Sequence, residues 1–272
     1  MSTVEGTGTA SRPRTTSRAA AGRRRRFLPP QHGAWAMLAV PYLAGLLAAG
    51  YRWADAALAG AWLAGYLLSY YLFQSVKSRR PGRYRAQLLL YAAVAAPLAA
   101  LVVAARPQVL WYAPGYAALL AVNAWYAARR RERALLNDVA SVLQSCLIVL
   151  VVATIAGTVT AAALVAFLLC LAYFLGTVFY VKTMIRERGN PRYRRWSAWY
   201  HVLALAAAAA AQLVAVAPSL RSTASTGLWA AALFAWLLAR AVVLPGRGLA
   251  PKRVGLIEMA NCAALLAIVA LH

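Results

Sequence analysis

The sequence predicts an all-α protein, a polytopic membrane bundle of about nine transmembrane helices. Three observations predict it. Of 272 residues, 63% are hydrophobic and only 13% charged, with a mean hydropathy of +0.61, whereas soluble domains run at roughly half apolar and about a quarter charged. The apolar residues come in blocks of about 18–24, the length that crosses a bilayer as a helix. The basic residues occupy the short gaps between these blocks, and nearly all of them fall in alternate gaps. Backbone polar groups in hydrocarbon must be satisfied within the segment, so such spans have to be helical.

Taken in order, residues 1–28 are Ser, Thr, Gly, Ala and Arg without periodicity and predict a disordered basic cytoplasmic tail. Its "RRRRFL" has the look of a twin-arginine export signal, but the many spans that follow argue against a cleaved soluble product. Pro29-Pro30 stops the tail, and residues 29–272 form the transmembrane part. The spans are expected near 33–50, 54–76, 84–105, 108–128, 134–157, 160–181, 195–217, 225–244 and 254–271. With the N-terminus inside, the inside segments hold seven basic residues in the tail, five at 77–85, four at 129–133, six at 182–195 and four at 240–253. The outside loops hold only Arg52, Arg106 and Arg221. Such an asymmetry predicts an N-in, C-out protein of the cytoplasmic membrane, and an error of one span would scramble it.

The formal charge of +23 would suggest nucleic acid on a soluble surface, but confinement to short loops assigns it to topology and excludes that partner. Lysine stands only at 77, 182 and 252, so arginine is this chain's default cation and the lysines carry more information. Cys146, Cys170 and Cys262 lie inside apolar runs without CxxC spacing and read as packing residues. There is no P-loop, HExxH or GxSxG and no Cys/His cluster, so no metal or cofactor is expected.

Several residues remain that could carry chemistry. The stretch "FYVKTMIRERGNPRYRRW" (179–196) holds six basic residues and one acid. Within it Lys182 and Arg186 are four apart, a spacing at which like charges repel unless an anion lies between them. Gly189-Asn190-Pro191 predicts a shaped turn. "VKSRRPGRYR" (76–85) echoes "VKTMIRERGNPRYR" (181–194), with Lys77 in the place of Lys182 and Tyr91 and Tyr200 at matching offsets. The echo suggests two related four-helix halves plus one helix. The fifth span carries Asn137, Asp138, Ser141, Gln144 and Ser145 at spacings that share a face, and Asn123 on the span before could meet them. Such a stripe serves interhelical hydrogen bonding or lines a cavity. In the seventh span Tyr193, Ser197 and His201 step by four. Gln31 and His32 stand at the first helix start, where outward-pointing amides favour an anion. Asp138 and Glu258 lie about a turn inside their spans, where an acid needs a partner or a role.

The blocks "PPQHGAWAMLAVPYLAG", "RRRERALLNDVAS", "GTVFYVKTMIRERGNPRYRR" and "PKRVGLIEMANC" resemble the YwiC-like family of bacterial membrane proteins, across residues 29–262. More distantly, the architecture is similar to the UbiA prenyltransferase superfamily, with nine helices and active loops after the second and sixth. That resemblance implies a diphosphate site in those loops. Here they read "SVKSRRPGR" and "YVKTMIRERGNP", without the Asp-rich motifs that hold Mg²⁺, so a phosphate would be held directly by basic groups.

The leading expectation is a basic cytoplasmic-side cavity for an anionic ligand, phosphorylated or lipid-like. Lys77, Lys182 and Arg186 would contact the anion, with Gln31, His32, Asn123, Asn137, Asp138 and Glu258 orienting polar groups. A small-anion carrier and a non-catalytic scaffold binding lipid headgroups are the alternatives.

Overall fold

The structure is a computed structural model that describes Phe27, residues 32–215 and residues 224–271. The expected basic tail, Gln31 and Arg221 lie outside the described residues. The helices are α1 (His32–Ala49), α2 (Trp53–Ser78), α3 (Arg85–Ala105), α4 (Ala113–Ala128), α5 (Leu135–Cys146), α6 (Ile148–Ala156), α7 (Ala161–Val181), α8 (Pro191–Ala215), α9 (Ala224–Val243) and α10 (Pro251–Val269). No strand occurs among the described residues. α5 and α6 are one span: across Leu147 the ladder continues through Leu147 N–H to Leu143 O at 3.0 Å and Val151 N–H to Leu147 O at 3.2 Å. With that pair merged, the described residues hold a helix at each of the nine expected positions, and the chain is a multi-pass helical membrane protein. Among the described residues, five helical stretches are long and apolar enough to cross a bilayer by length and composition alone, and Gly33–Ala49 is a shorter apolar helix.

Local chemistry sets the boundaries. Arg79 adopts φ +53° and ends α2, and Pro81 opens the short 3-10 turn that leads into α3. The fourth span was expected from 108, but Pro107 opens a 3-10 turn through Tyr112 and α4 follows it. A proline at a helix start loses nothing, since its missing N–H would have no partner there. Gly157, at φ +138°, ends α6. At the same end of the bundle Arg106 Nε donates to Ile155 O at 3.3 Å, capping that helix.

α1 lies at the centre, packed on α5, α6, α7 and α10. Its Ala44 is fully buried, and a Cβ placed on Gly45 would stand 2.9 Å from Val152 Cβ and 3.2 Å from Val149 Cα. Small residues here let α1 and α6 approach closely, which matters where lipid removes the hydrophobic drive between helices. Val40, Val142, Cys146, Cys170, Phe234 and Leu265 fill the main core around it. All three cysteines are free and buried, as packing residues. α3 packs chiefly on α2 and turns Leu89, Leu90, Val94 and Leu101 outward, a face suited to lipid.

Pro41 sits inside α1 and has no N–H to donate to the Met37 carbonyl one turn earlier. Ser145 Oγ, from α5, donates to that carbonyl instead. Trp62 Nε1 of α2 donates to the neighbouring Leu38 O at 3.0 Å. The proline thus opens α1 to its neighbours' side chains.

The two Val-Lys segments fold differently before their prolines and alike after them. α2 ends at once, whereas Lys182–Arg186 winds into a π-helical turn closed by Glu187 N–H to Lys182 O at 2.7 Å. Pro81 and Pro191 then open the next helical segments. Tyr91 stacks on Tyr71 at 5.8 Å, and Tyr200 on Phe179 at 5.2 Å. Further along, α3 rests chiefly on α2 while α8 rests chiefly on α9.

Ser145→Ala will lower thermal stability in detergent by about 1–3 kcal/mol, the cost of a buried acceptor left unmatched. In a Pro41→Ala background, where residue 41 regains its N–H, the same change will cost clearly less. An additive double-mutant cycle would show that Ser145 does not serve the proline.

Candidate functional site

Lys77, Asn137, Asp138 and Lys182 stand at one end of the bundle. It is made by the C-terminal ends of α2, α4, α7 and α9 and the N-terminal ends of α1, α3, α5, α8 and α10. Arg188 Nη2 ties the loop after α7 to the loop after α9 through Leu249 O at 2.9 Å.

The π-helical turn carries Lys182 into the bundle. Its ammonium meets Asp138 Oδ2 at 2.7 Å and donates to Arg133 O at 2.6 Å, and the residue is only 5% exposed. Arg186, at the far end of the turn, is exposed. The two cations expected to share an anion therefore differ: one is held by a carboxylate and the other faces outward. The predicted turn is present, with Gly189 at φ +84°. Asn190 Oδ1 accepts from Arg192 N–H at 3.0 Å, and its Nδ2 donates to Glu187 Oε2 at 3.0 Å. Asn190 thus holds both the loop and the start of α8.

Lys77 pairs with Glu132 at 2.6 Å, and both side chains keep about a third or more of their surface exposed. Partial burial would raise the Glu132 carboxyl, but the Lys77 hydrogen bond, the backbone and Arg133 together bring it below the ordinary carboxylate value. A cavity of about 540 Å³ opens beside the pair, lined by Lys77, Arg130, Arg131, Glu132, Arg133 and Ala134. Arg130, at φ +56°, bends the chain at this mouth. A second groove of about 460 Å³ lies along α8 between Arg192, Arg195, Trp196 and Trp199. Its arginines and tryptophans suit the headgroup level of a bilayer.

The polar stripe of the fifth span divides between neighbours. Asn123 Nδ2 on α4 donates to Gln144 Oε1 at 3.1 Å, and Ser141 Oγ donates to Asn137 O at 2.9 Å, with Asn123 Oδ1 at 3.4 Å. Asn137 Nδ2 donates to Glu132 O at 2.8 Å, steadying the loop that lines the cavity. Asp138 points instead to Lys182, and Ser145 to α1. His32 is the first residue of α1, and its side chain lies outside what is described.

Glu258 belongs to a separate interior cluster. It forms an ion pair with Arg240 in the last turn of α9, and its Oε2 accepts from Tyr173 OH at 3.0 Å and Thr177 Oγ1 at 2.9 Å. The Arg240 guanidinium lies over the Tyr180 ring at 4.1 Å and is closed off from the surface. In the sequence Arg240 groups with the loop charges of 240–253, and only its place inside the eighth span, opposite an acid about a turn inside the ninth, hints at pairing. His201 is also buried, its Nδ1 2.7 Å from Ser197 O.

A family model described as "YwiC-like protein" matches residues 28–153. The uncharacterised protein YwiC of Bacillus subtilis (strain 168) is 32% identical over 252 residues, covering 90% of this chain and 97% of that protein. An uncharacterised protein of Haemophilus influenzae (strain ATCC 51907 / DSM 11121 / KW20 / Rd) is 31% identical over 239 residues, covering 85% of this chain and 91% of that one. No solved structure matches. With relatives aligned along almost its whole length, this chain belongs to the YwiC-like family.

Proposed function

We propose that this membrane protein binds an anionic ligand, phosphorylated or lipid-like, in the cavity at its basic end. The observation that carries the reading is the lining: Lys77, Arg130, Arg131 and Arg133 face one opening with Glu132 as the single acid. Glu132 is already engaged by Lys77, so an arriving anion meets a surplus of donors. Guanidinium groups match phosphate oxygens two at a time, which suits a phosphate ester held without magnesium. Lys182 and Asp138 act here as the clamp that sets the Arg133 backbone, and Asn137 does the same at Glu132. Arg186 stands outside the cavity lining as an approach charge. The reading does not extend to metal-dependent prenyl transfer, since the loops after the second and sixth spans offer no aspartate.

The basic end faces the cytoplasm of a bacterial cell in this reading, with the N-terminus inside and the C-terminus outside, because that orientation puts twenty-six of the twenty-nine basic residues on the inner side. A small-anion carrier is the second reading. It is favoured by the Arg240–Glu258 pair, which lies inside the spans rather than at the mouth.

Three measurements test this. Inorganic phosphate, prenyl diphosphates and anionic phospholipid will raise the melting temperature of the purified protein, with or without Mg²⁺. The Lys77→Ala/Arg131→Ala variant will bind at least about tenfold more weakly, as two charge-assisted bonds are lost. Equal shifts in wild type and variant would sink the cavity reading, and flux into liposomes would support the carrier.

Lys182→Ala will cost about 3 kcal/mol, the usual penalty for leaving a partly buried charge alone. Adding Asp138→Asn will restore much of that loss if the lysine serves as a clamp; no recovery would assign it a different role. Cysteine labelling from either side of the membrane will reach substitutions near Arg83 and Arg131 only from the cytoplasm, and near Arg52 only from outside. Labelling in the opposite sense would reverse the orientation.

A further inference from the structure

The interior cluster contains an imbalance that the ion pair does not explain. Glu258 is engaged at both oxygens: one meets Arg240 and the other accepts from Tyr173 and Thr177. Arg240 is not fully engaged, since its Nε and Nη2 have no hydrogen-bond partner. Tyr180 OH, Ser197 Oγ and His201 Nε2 are also buried without partners, and these residues and Arg240 are at most 1% exposed. They belong to one region of α7, α8 and α9. The Tyr180 ring underlies the guanidinium at 4.1 Å, and His201 Nε2 stands 3.1 Å from where a Cβ would sit on Gly176, one turn before Tyr180. Ser197 lies one turn from His201 and accepts its Nδ1–H through the carbonyl. Unmatched buried polar groups are uncommon in proteins, and several in one place point to an occupant.

The inventory selects its chemistry. Arg240 Nε–H and Nη2–H and the hydroxyls of Tyr180 and Ser197 are donors, and the sole acceptor without a hydroxyl is His201 Nε2. Water gives and takes hydrogen bonds equally, whereas the oxygens of a small anion only accept. The free Nε–Nη2 edge of a guanidinium also matches a planar oxyanion.

We propose that this cluster is an occluded site for a small oxyanion, bound together with one proton on His201 Nε2. The proton turns the one acceptor into a fifth donor. It also keeps the site neutral, because Arg240 is already balanced by Glu258 and a lone added anion would leave a net charge inside the membrane. The charged and titratable groups around His201 are Tyr173 and Tyr180 from α7, Tyr200 from α8, Arg240 from α9 and, behind it, Glu258 and Cys262 from α10. Lys182 in the turn below is held by Asp138. This site goes beyond the anion-binding reading of the basic cavity and uses none of its residues.

The test uses the whole purified protein with nitrate and formate as probes, against chloride at equal ionic strength, from pH 5.5 to 8. Neither probe titrates in that range. The expected result is stabilisation that strengthens as pH falls, with affinity dropping up to about tenfold for each unit by which the pH rises, as linkage to one proton requires. Tyr180→Phe removes a hydroxyl that has no partner, so the ligand-free protein will be as stable as wild type or more so. The same variant will bind nitrate at least about tenfold more weakly. His201→Gln will lose the pH dependence. If anion shifts vanish in Lys77→Ala/Arg131→Ala but persist in Tyr180→Phe and His201→Gln, the interior site is wrong and the cavity reading stands. If the reverse holds, the interior site stands alone. No shift for any anion in the wild type overturns both.

Discussion

Inside a bilayer, every polar group that enters the bundle has to find its partner within the protein, and lipid tails give helices no hydrophobic reason to associate. α1 shows how the chain lives with both conditions. Gly45 and Ala44 allow close approach to α6, so dispersion contacts form along the seam. Pro41 then exposes a carbonyl that only a neighbouring helix can satisfy, and Ser145 does so. The central helix is thus tied to α5 by a defect in its own ladder.

The same condition governs the charges. Lys77 ends on Glu132 and Lys182 on Asp138, so two of the three lysines are neutralised where the helices meet the loops. Arginines on the α4–α5 loop and along the start of α8 face outward beside these pairs. The basic end is therefore layered, with matched pairs that set the backbone and guanidinium groups that face outward. Such layering separates the stability of the end from its affinity for anions. The paired groups lose heavily when broken, whereas the exposed ones contribute little to folding.

Much of this was legible in the sequence, and the limits are instructive. Span positions follow from block length and from the alternation of charge between gaps, both local properties. The Gly189-Asn190-Pro191 turn was legible because each residue type has a backbone reason to be there. The polar stripe on α5 was legible as a stripe, but not in its destinations: Asn137 and Asp138 are neighbours in sequence and diverge by about 100° around the helix. One joins the loop and the other reaches Lys182. Pairings such as Arg240 with Glu258, or Lys182 with Asp138, join different helices, and no one-dimensional spacing encodes which helix ends meet. Lys182 was expected to hold an anion for that reason, while its carboxylate lay on another span.

The distribution of lysine and arginine carries a further argument. In a chain where arginine is the default cation, lysine at 77 and 182 stands where a compact charge is needed. The Lys182 ammonium fits between one carboxylate oxygen and one carbonyl at 2.7 and 2.6 Å, using two of its three donors in a nearly closed pocket. A guanidinium there would bring five N–H groups to a space with two acceptors. Arg240 occupies the opposite situation: it is equally buried, but only its edge toward Glu258 is used. A lysine would have satisfied that single carboxylate with fewer idle donors, although its ammonium is the more strongly hydrated cation. That the chain keeps a wide, planar cation where a compact one would neutralise the acid separates the interior pair from the clamps at the loops. The clamps hold the fold with matched donors, while the interior pair retains donors that the folded chain does not use.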